Sequence, residues 1–216
     1  MYEPRSKDII LGKIREALAK PAPFMPSTPD FSASVHPAPD DDLSITFATI
    51  FVKNSGTFIY CDSDENFFDH LYVFKKEKKI EHLYVWEPEL QAHLQAGGID
   101  FNDDEASFIK NAEASLTTCE ALIARTGSIL VSGATESGRR LSIYPEKHLV
   151  LAYASQLLPD IKDGLAYVRQ KYNNKIPSML SLVSGPSRTA DIEKTLVMGA
   201  HGPKELILFL IDDTLQ

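Results

Sequence analysis

His148-Leu149-Val150-Leu151-Ala152-Tyr153, then Ile161–Tyr172 with spaced apolar residues, then Met179-Leu180-Ser181-Leu182-Val183, is the stretch whose reading decides the fold. A short run of consecutive apolar residues is a strand covered on both faces. A helix between two such runs lets them lie side by side in parallel. The pattern predicts a further helix over Ala190–Met198 and a last strand over Glu205–Ile211. Short apolar strands alternating with helices give an α/β fold: an open, mainly parallel, Rossmann-like sheet with helices on both faces.

Outward from this stretch the same texture holds. Asp41–Lys53 presents Leu43, Phe47, Ile50 and Phe51 at helical spacing, Gly56 breaks it, and Thr57–Cys61 is β-prone. Asp62–Asp64 can cap a helix that runs through Phe67, Phe68, Leu71, Val73 and Phe74 to the lysines of 75–79, with acid at its start and base at its end. Leu83–Trp86 is a strand, and Pro88 opens a helix ending at Gly97-Gly98. Ser115–Thr118 and Ser128–Ser132 are strands on either side of Cys119–Ala124. Nearer the start, Ser6–Lys20 is an amphipathic helix halted by Pro21, Pro23, Pro26 and Pro29. The expected organisation is a helical and proline-rich arm over 1–41, which packs on its own core or joins copies of the chain, and one α/β domain over 42–216.

Composition removes several classes of function. The 216 residues are 44% apolar and 24% charged, as in ordinary globular proteins. No apolar run approaches the roughly 20 residues that span a bilayer, and the N-terminus is no apolar signal segment, so membrane insertion and secretion are not expected. A net charge of −8, from 22 basic against 30 acidic residues, opposes general binding to nucleic acid. Cys61 and Cys119 are the only cysteines, too few and too far apart for a disulfide framework, a metal site or a cluster of this chain's own. The expected setting is cytoplasmic, with no metal or cofactor.

Three constellations carry candidate chemistry. The first is Ser184-Gly185-Pro186-Ser187-Arg188-Thr189-Ala190-Asp191-Ile192-Glu193, where a strand enters a turn before the expected helix. In open α/β sheets ligands sit beyond the carboxyl ends of strands, and free amides beside Arg188 would receive a carboxylate or phosphate. The plainer reading is a capped helix start with acidic first-turn residues. The second is Gly199-Ala200-His201-Gly202-Pro203, whose histidine can act as acid or base; alternatively it closes a helix. One short helix away from Ser187, this loop is expected at that helix's opposite end. The third joins Thr126-Gly127-Ser128 with Glu136, Arg139 and Arg140. It offers backbone donors, two guanidiniums and a carboxylate, or simply a turn with a solvated arginine pair.

Together, Thr126-Gly127-Ser128, Gly138-Arg139-Arg140-Leu141-Ser142, the Ser184–Glu193 stretch and Gly199–Pro203 resemble the LUD domain of the lactate utilisation protein C family. The likeness covers about Thr57 to Asp212. It departs at Arg125 and Ser128, where the family commonly has glutamate ahead of Thr-Gly-Thr. The resemblance implies a fold similar to the sugar-phosphate isomerase and CoA-transferase-like group, and work beside iron–sulfur proteins that oxidise lactate to pyruvate. Two classes of function stay open: an accessory or regulatory subunit of a lactate-oxidising system that binds a small anionic metabolite, and an enzyme acting on a phosphorylated or CoA-linked metabolite through Glu136 or His201.

Overall fold

The computed structural model describes residues 6–20, 36, 42–192, 195–199 and 201–214. Contacts divide the chain into two units, Met1–Pro37 and Ala38–Gln216. In the first, helix α1 (Ser6–Ala19) buries none of its side chains. The proline-rich part of the expected arm lies outside the described residues.

The second unit follows an alternating order. It runs through α2 (Leu43–Lys53), β1 (Thr57–Cys61), α3 (Asp64–Glu77), β2 (Leu83–Tyr84), α4 (Pro88–Ala96), α5 (Glu105–Asn111), β3 (Ala114–Thr117), β4 (Ala121–Ile123), β5 (Ser128–Ser132), β6 (Lys147–Tyr153), β7 (Leu157–Leu158), α6 (Ile161–Lys171), β8 (Leu180–Val183), β9 (Arg188–Ile192), β10 (Thr195–Met198) and β11 (Glu205–Ile211). The main sheet has five strands in the order β1-β11-β6-β3-β2, and every pair in it is parallel. Alternation along β6 and β11 sends Leu149, Leu151, Ile207 and Phe209 to one face, against Phe67 and Leu71 of α3 and Leu90 and Leu94 of α4. Val150, Ala152, Leu208 and Leu210 face the other way, onto Phe47 and Phe51 of α2. Both faces are buried, so the strands read as unbroken apolar runs.

Two features depart from the expected single sheet. A second, mixed sheet of order β7-β4-β5-β8 packs Leu122, Ile129 and Val131 into the α2 side of the core. Its strand β4 falls inside the segment left without structure between 118 and 128, and α5, capped by the Asp104 carboxylate on the Ser107 amide at 2.7 Å, was not expected at all. The larger correction concerns Ala190–Met198. The described residues there form no helix: β9 and β10 pair antiparallel, with Met198 opposite Arg188. Thr189, Ile192, Thr195 and Val197 are β-branched and favour extended backbone, which outweighs the cap-like Thr189 and Asp191.

Candidate functional site

The C-terminal turn of α2 is the hub of one site. Gly127 lies at φ +55°, and a Cβ there would come within 2.5 Å of the Phe51 amide nitrogen. Gly185, at φ +104°, would place a Cβ 2.3 Å from the Asn54 carbonyl oxygen. Only glycine allows either chain to lie so close to the helix end. Asn54, the C-cap of α2, then ties the pieces together. Its Nδ2 donates to the Thr126 carbonyl at 3.0 Å, and its own carbonyl accepts from a terminal nitrogen of Arg188 at 2.9 Å. The Ser128 hydroxyl donates to Thr126 Oγ1 at 2.7 Å and meets Ser184 Oγ at 2.6 Å.

The β9–β10 hairpin also brings together two loops expected to be apart. The Ser187 amide donates to the Pro203 carbonyl at 2.8 Å, and the Gly199 amide to the Ser187 carbonyl at 3.0 Å. A helix over nine residues would have held these loops roughly 13 Å apart; paired strands return the chain beside its start. Pro186 and Pro203 are buried, while Arg188 and His201 are exposed. Two of the amides expected in an anion cradle are engaged within the protein: the Ser187 N–H by the Pro203 carbonyl, and the Gly127 N–H by the Ala124 carbonyl. The Arg188 guanidinium is an exposed polar group that can meet a ligand here. The side chains of Thr189 and Asp191, with Glu193 and Ala200, lie outside the described residues.

Glu136, Arg139 and Arg140 do not join this hub. They follow Ser132, at the opposite end of β5 from Ser128, a separation of roughly 13 Å along a strand. Arg139 donates to Ser178 Oγ at 3.0 Å. Arg140 pairs with Glu105, and its guanidinium carbon stands 5.2 Å from the Trp86 ring centroid. Glu136 is exposed. The arginine pair braces the 133–146 segment against its neighbours. Arg125, placed where the resembling family commonly has glutamate, bonds Asp160 at 2.8 Å.

The carboxyl edge of the main sheet holds a second polar group that no sequence motif marks. Glu87 follows β2, and Glu120 follows β3; they are 6% and 2% exposed. Glu87 accepts from the Thr118 amide at 3.2 Å, the Thr118 hydroxyl at 2.5 Å and the Ser137 hydroxyl at 2.5 Å. Glu120 accepts from the Ser132 hydroxyl at 2.5 Å, Tyr172 OH at 2.7 Å and Lys171 Nζ at 2.8 Å. Burial would raise the Glu120 carboxyl, but Lys171, Ser132 and Tyr172 outweigh it and leave the group below its ordinary value. His148, fully buried, bonds Thr117 Oγ1 through Nε2 at 2.9 Å. Burial lowers it to about 4, so it is neutral near pH 7. Its Nδ1 is buried without a partner. Burial also pushes both free thiols up, Cys61 to about 12, which leaves neither a thiolate near neutral pH.

Among the described residues, no group of three or more His, Cys, Asp or Glu is placed to hold a metal ion. No helix among them is long and apolar enough to cross a membrane.

Comparison with known proteins adds to the geometry. The family model described as LUD domain matches residues 46–211. The chain is 29% identical over 123 residues to Lactate utilization protein C 1 of Bacillus mycoides (strain KBAB4), covering 56% of this chain and 53% of that one. It is 28% identical over 116 residues to Lactate utilization protein C of Bacillus subtilis (strain 168), covering 53% and 48%. It is 32% identical over 112 residues to an uncharacterized protein of Escherichia coli (strain K12), covering 51% and 48%. The chain thus spans about half the length of the curated relatives it matches. A crystal structure of a DUF162 family protein from Deinococcus radiodurans superposes with a TM-score of 0.59 at 20% identity, over 78% of this chain and 96% of that one. That likeness concerns the fold.

Proposed function

The chain belongs to the LUD domain family, and from that premise we propose that it serves lactate utilisation as an accessory or regulatory subunit of a system oxidising L-lactate to pyruvate. In this reading it works in the cytoplasm beside iron–sulfur oxidoreductase subunits, and it receives a small anionic metabolite at the α2 hub. The names of the relatives support the setting. The observation that supports the site is the exposed Arg188 guanidinium, anchored by the Asn54 carbonyl where three separate sequence motifs converge.

The exposed Arg188 guanidinium favours the hub over the carboxyl edge. The segments that follow β1, β2, β3 and β11 carry Asp62, Glu87, Glu120, Asp212 and Asp213. A carboxylate entering there meets like charge. At the hub it meets Arg188, a planar donor that can bind a carboxylate through two parallel hydrogen bonds. The alternative, an enzyme acting through Glu136 or His201, would have to use one without the other, because the two side chains belong to opposite ends of the β5–β8 pair. The arm over 1–41 is proposed to join copies of the chain.

Calorimetric titration with L-lactate, pyruvate and inorganic phosphate tests the site. At least one should bind saturably, and Arg188→Ala should weaken it roughly 10-fold or more, the loss expected for a charged hydrogen bond, with the melting temperature unchanged. Silence from all three, or equal affinity in the variant, would overturn the reading.

A further inference from the structure

We propose that the cleft between the end of α3 and the loop leaving α4 binds a small organic phosphate, its phosphate group held by Lys75, Lys76 and Lys79 and its body resting on Tyr72 and Ile99. This site is independent of the α2 hub, since α3 and α4 pack on one face of the main sheet and α2 on the other.

Space is the first reason. The cleft has a volume of about 410 Å³, within the range of pockets that hold small molecules. Its lining is part apolar and part cationic. Ile80 and Ile99 are buried and Tyr72 is exposed, and Lys75, Lys76 and Lys79 stand around them. Gly98 leaves the wall open, because a Cβ there would meet nothing within 4 Å.

The second reason is that the fold does not use these cations. Lysines near a helix C-terminus commonly answer its last carbonyls, but the Phe74, Lys75 and Lys76 carbonyls accept the amides of Lys78, Ile80 and Lys79. Lys78, in the same cluster, pairs with Glu205 at 2.6 Å and does not line the cleft. Lys75, Lys76 and Lys79 have no ion pair among the described residues. Lys75 reaches instead to the loop after α4, where its Nζ donates to the Asp100 carbonyl at 2.6 Å, a group without net charge. Burial lowers this ammonium below the ordinary lysine value, and the Asp100 carboxylate only partly restores it. A half-buried cation without a bonded carboxylate gains when an anion arrives.

The third reason is the kind of anion. The Glu81 and Asp100 carboxylates also border the cleft, both exposed, so the ligand must be one that several ammoniums hold at once. A phosphate monoester carries about −1.5 to −2 charges near neutral pH and three strong acceptor oxygens. Lysine ammoniums meet such oxygens as point charges on flexible stems. A carboxylate brings one charge and two oxygens.

The test uses the full chain with phenyl phosphate as the probe and inorganic phosphate beside it. Phenyl phosphate should bind saturably by calorimetry, more tightly than inorganic phosphate, and more weakly as salt is raised. Lys75→Gln and Lys76→Gln should each weaken it roughly 10-fold or more. Lys76 is an exposed helix residue, so its variant keeps the idea testable if the Lys75 variant does not fold. At alkaline pH, where part of the Lys75 ammonium has lost its proton, binding should take up a proton, read from the dependence of the heat on the buffer. Lys75→Gln should abolish that uptake. Lys78→Gln and Arg188→Ala should leave the affinity unchanged. Absence of saturable binding, no preference over inorganic phosphate, affinity indifferent to both cleft variants, or an equal loss in Lys78→Gln or Arg188→Ala would overturn the proposal.

Discussion

At the amino edge of the main sheet, Gly127 and Gly185 lay backbone on backbone against α2, and the Arg188 guanidinium there stays exposed. At the carboxyl edge, Glu87 and Glu120 are buried and reached through hydroxyls, and buried His148, from the amino end of β6, extends its ring to Thr117. Geometry at the first edge rests on positions where no side chain fits; at the second it rests on polar side chains that must find partners. The contrast separates two ways in which a fold fixes functional groups. Close approach fixes the main chain and leaves a long side chain free to meet solvent and ligand. Burial fixes the side chains themselves and makes the protonation state of each one part of the stability of the fold.

The largest effect should come from the amino edge. Gly185→Ala sets a methyl 2.3 Å from the Asn54 carbonyl oxygen at a φ that L-residues resist, and the oxygen is main chain that cannot swing aside. A loss of about 3 kcal/mol or more in urea unfolding is expected. A loss under about 1 kcal/mol would show that the turn relaxes, and the claim of a hub fixed by close approach would break.

The next effect belongs to the buried polar side chains and depends on pH. His148 holds its proton only below about 4 when folded, against roughly 6.5 when unfolded. Between those values the unfolded chain binds more protons than the folded one, so stability rises with pH across the window. It is fully present above about pH 6.5 and lost as pH falls toward 4, a change of roughly 3 kcal/mol by linkage. Carboxylates such as Glu120 lose their own contribution at lower pH, so the informative quantity is the difference from His148→Gln. That variant should flatten the slope between pH 4 and 6.5. An unchanged slope would mean that the imidazole is solvated, and the claim that burial sets its protonation would fall.

These two edges were not equally legible in the sequence. The parallel sheet could be read because strands such as β6 and β11 are buried on both faces and so apolar at every position. The hub could be read in part: glycines before Ser128 and Pro186 announce unusual backbone. Its assembly could not, because β9 and β10 carry a cap-like Thr189 and acidic Asp191 that mimic a helix start, while the β-branched residues that decide the matter sit one or two apart. The carboxyl-end rule does not describe the loop after β8. β8 belongs to the mixed sheet, and the loop after it lies by Asn54, which precedes β1. Applied to β2 and β3, the same rule leads to Glu87 and Glu120. Neither carries a local signature, since a lone glutamate looks alike on a surface and in a core. Asn54 was equally silent: a C-cap asparagine becomes a hub only once distant loops close on it.

The smallest expected effect concerns the arginine pair, which the sequence placed with the ligand-binding residues. Arg140 and Glu105 have side chains 40% and 63% exposed, so solvent screens the pair, and such contacts are worth about 0.2–1 kcal/mol. Stacking on Trp86 adds an amount of similar order. Arg140→Ala should therefore cost no more than about 1–2 kcal/mol and leave the affinity for lactate, pyruvate or phosphate as it was. Its readable consequence should be local: faster hydrogen exchange over 133–146, because one outer brace of that segment is gone. If the substitution instead removed anion binding while Arg188→Ala did not, the anion would belong to the 133–146 end of β5, and the assignment of cationic recognition to the amino edge would be reversed.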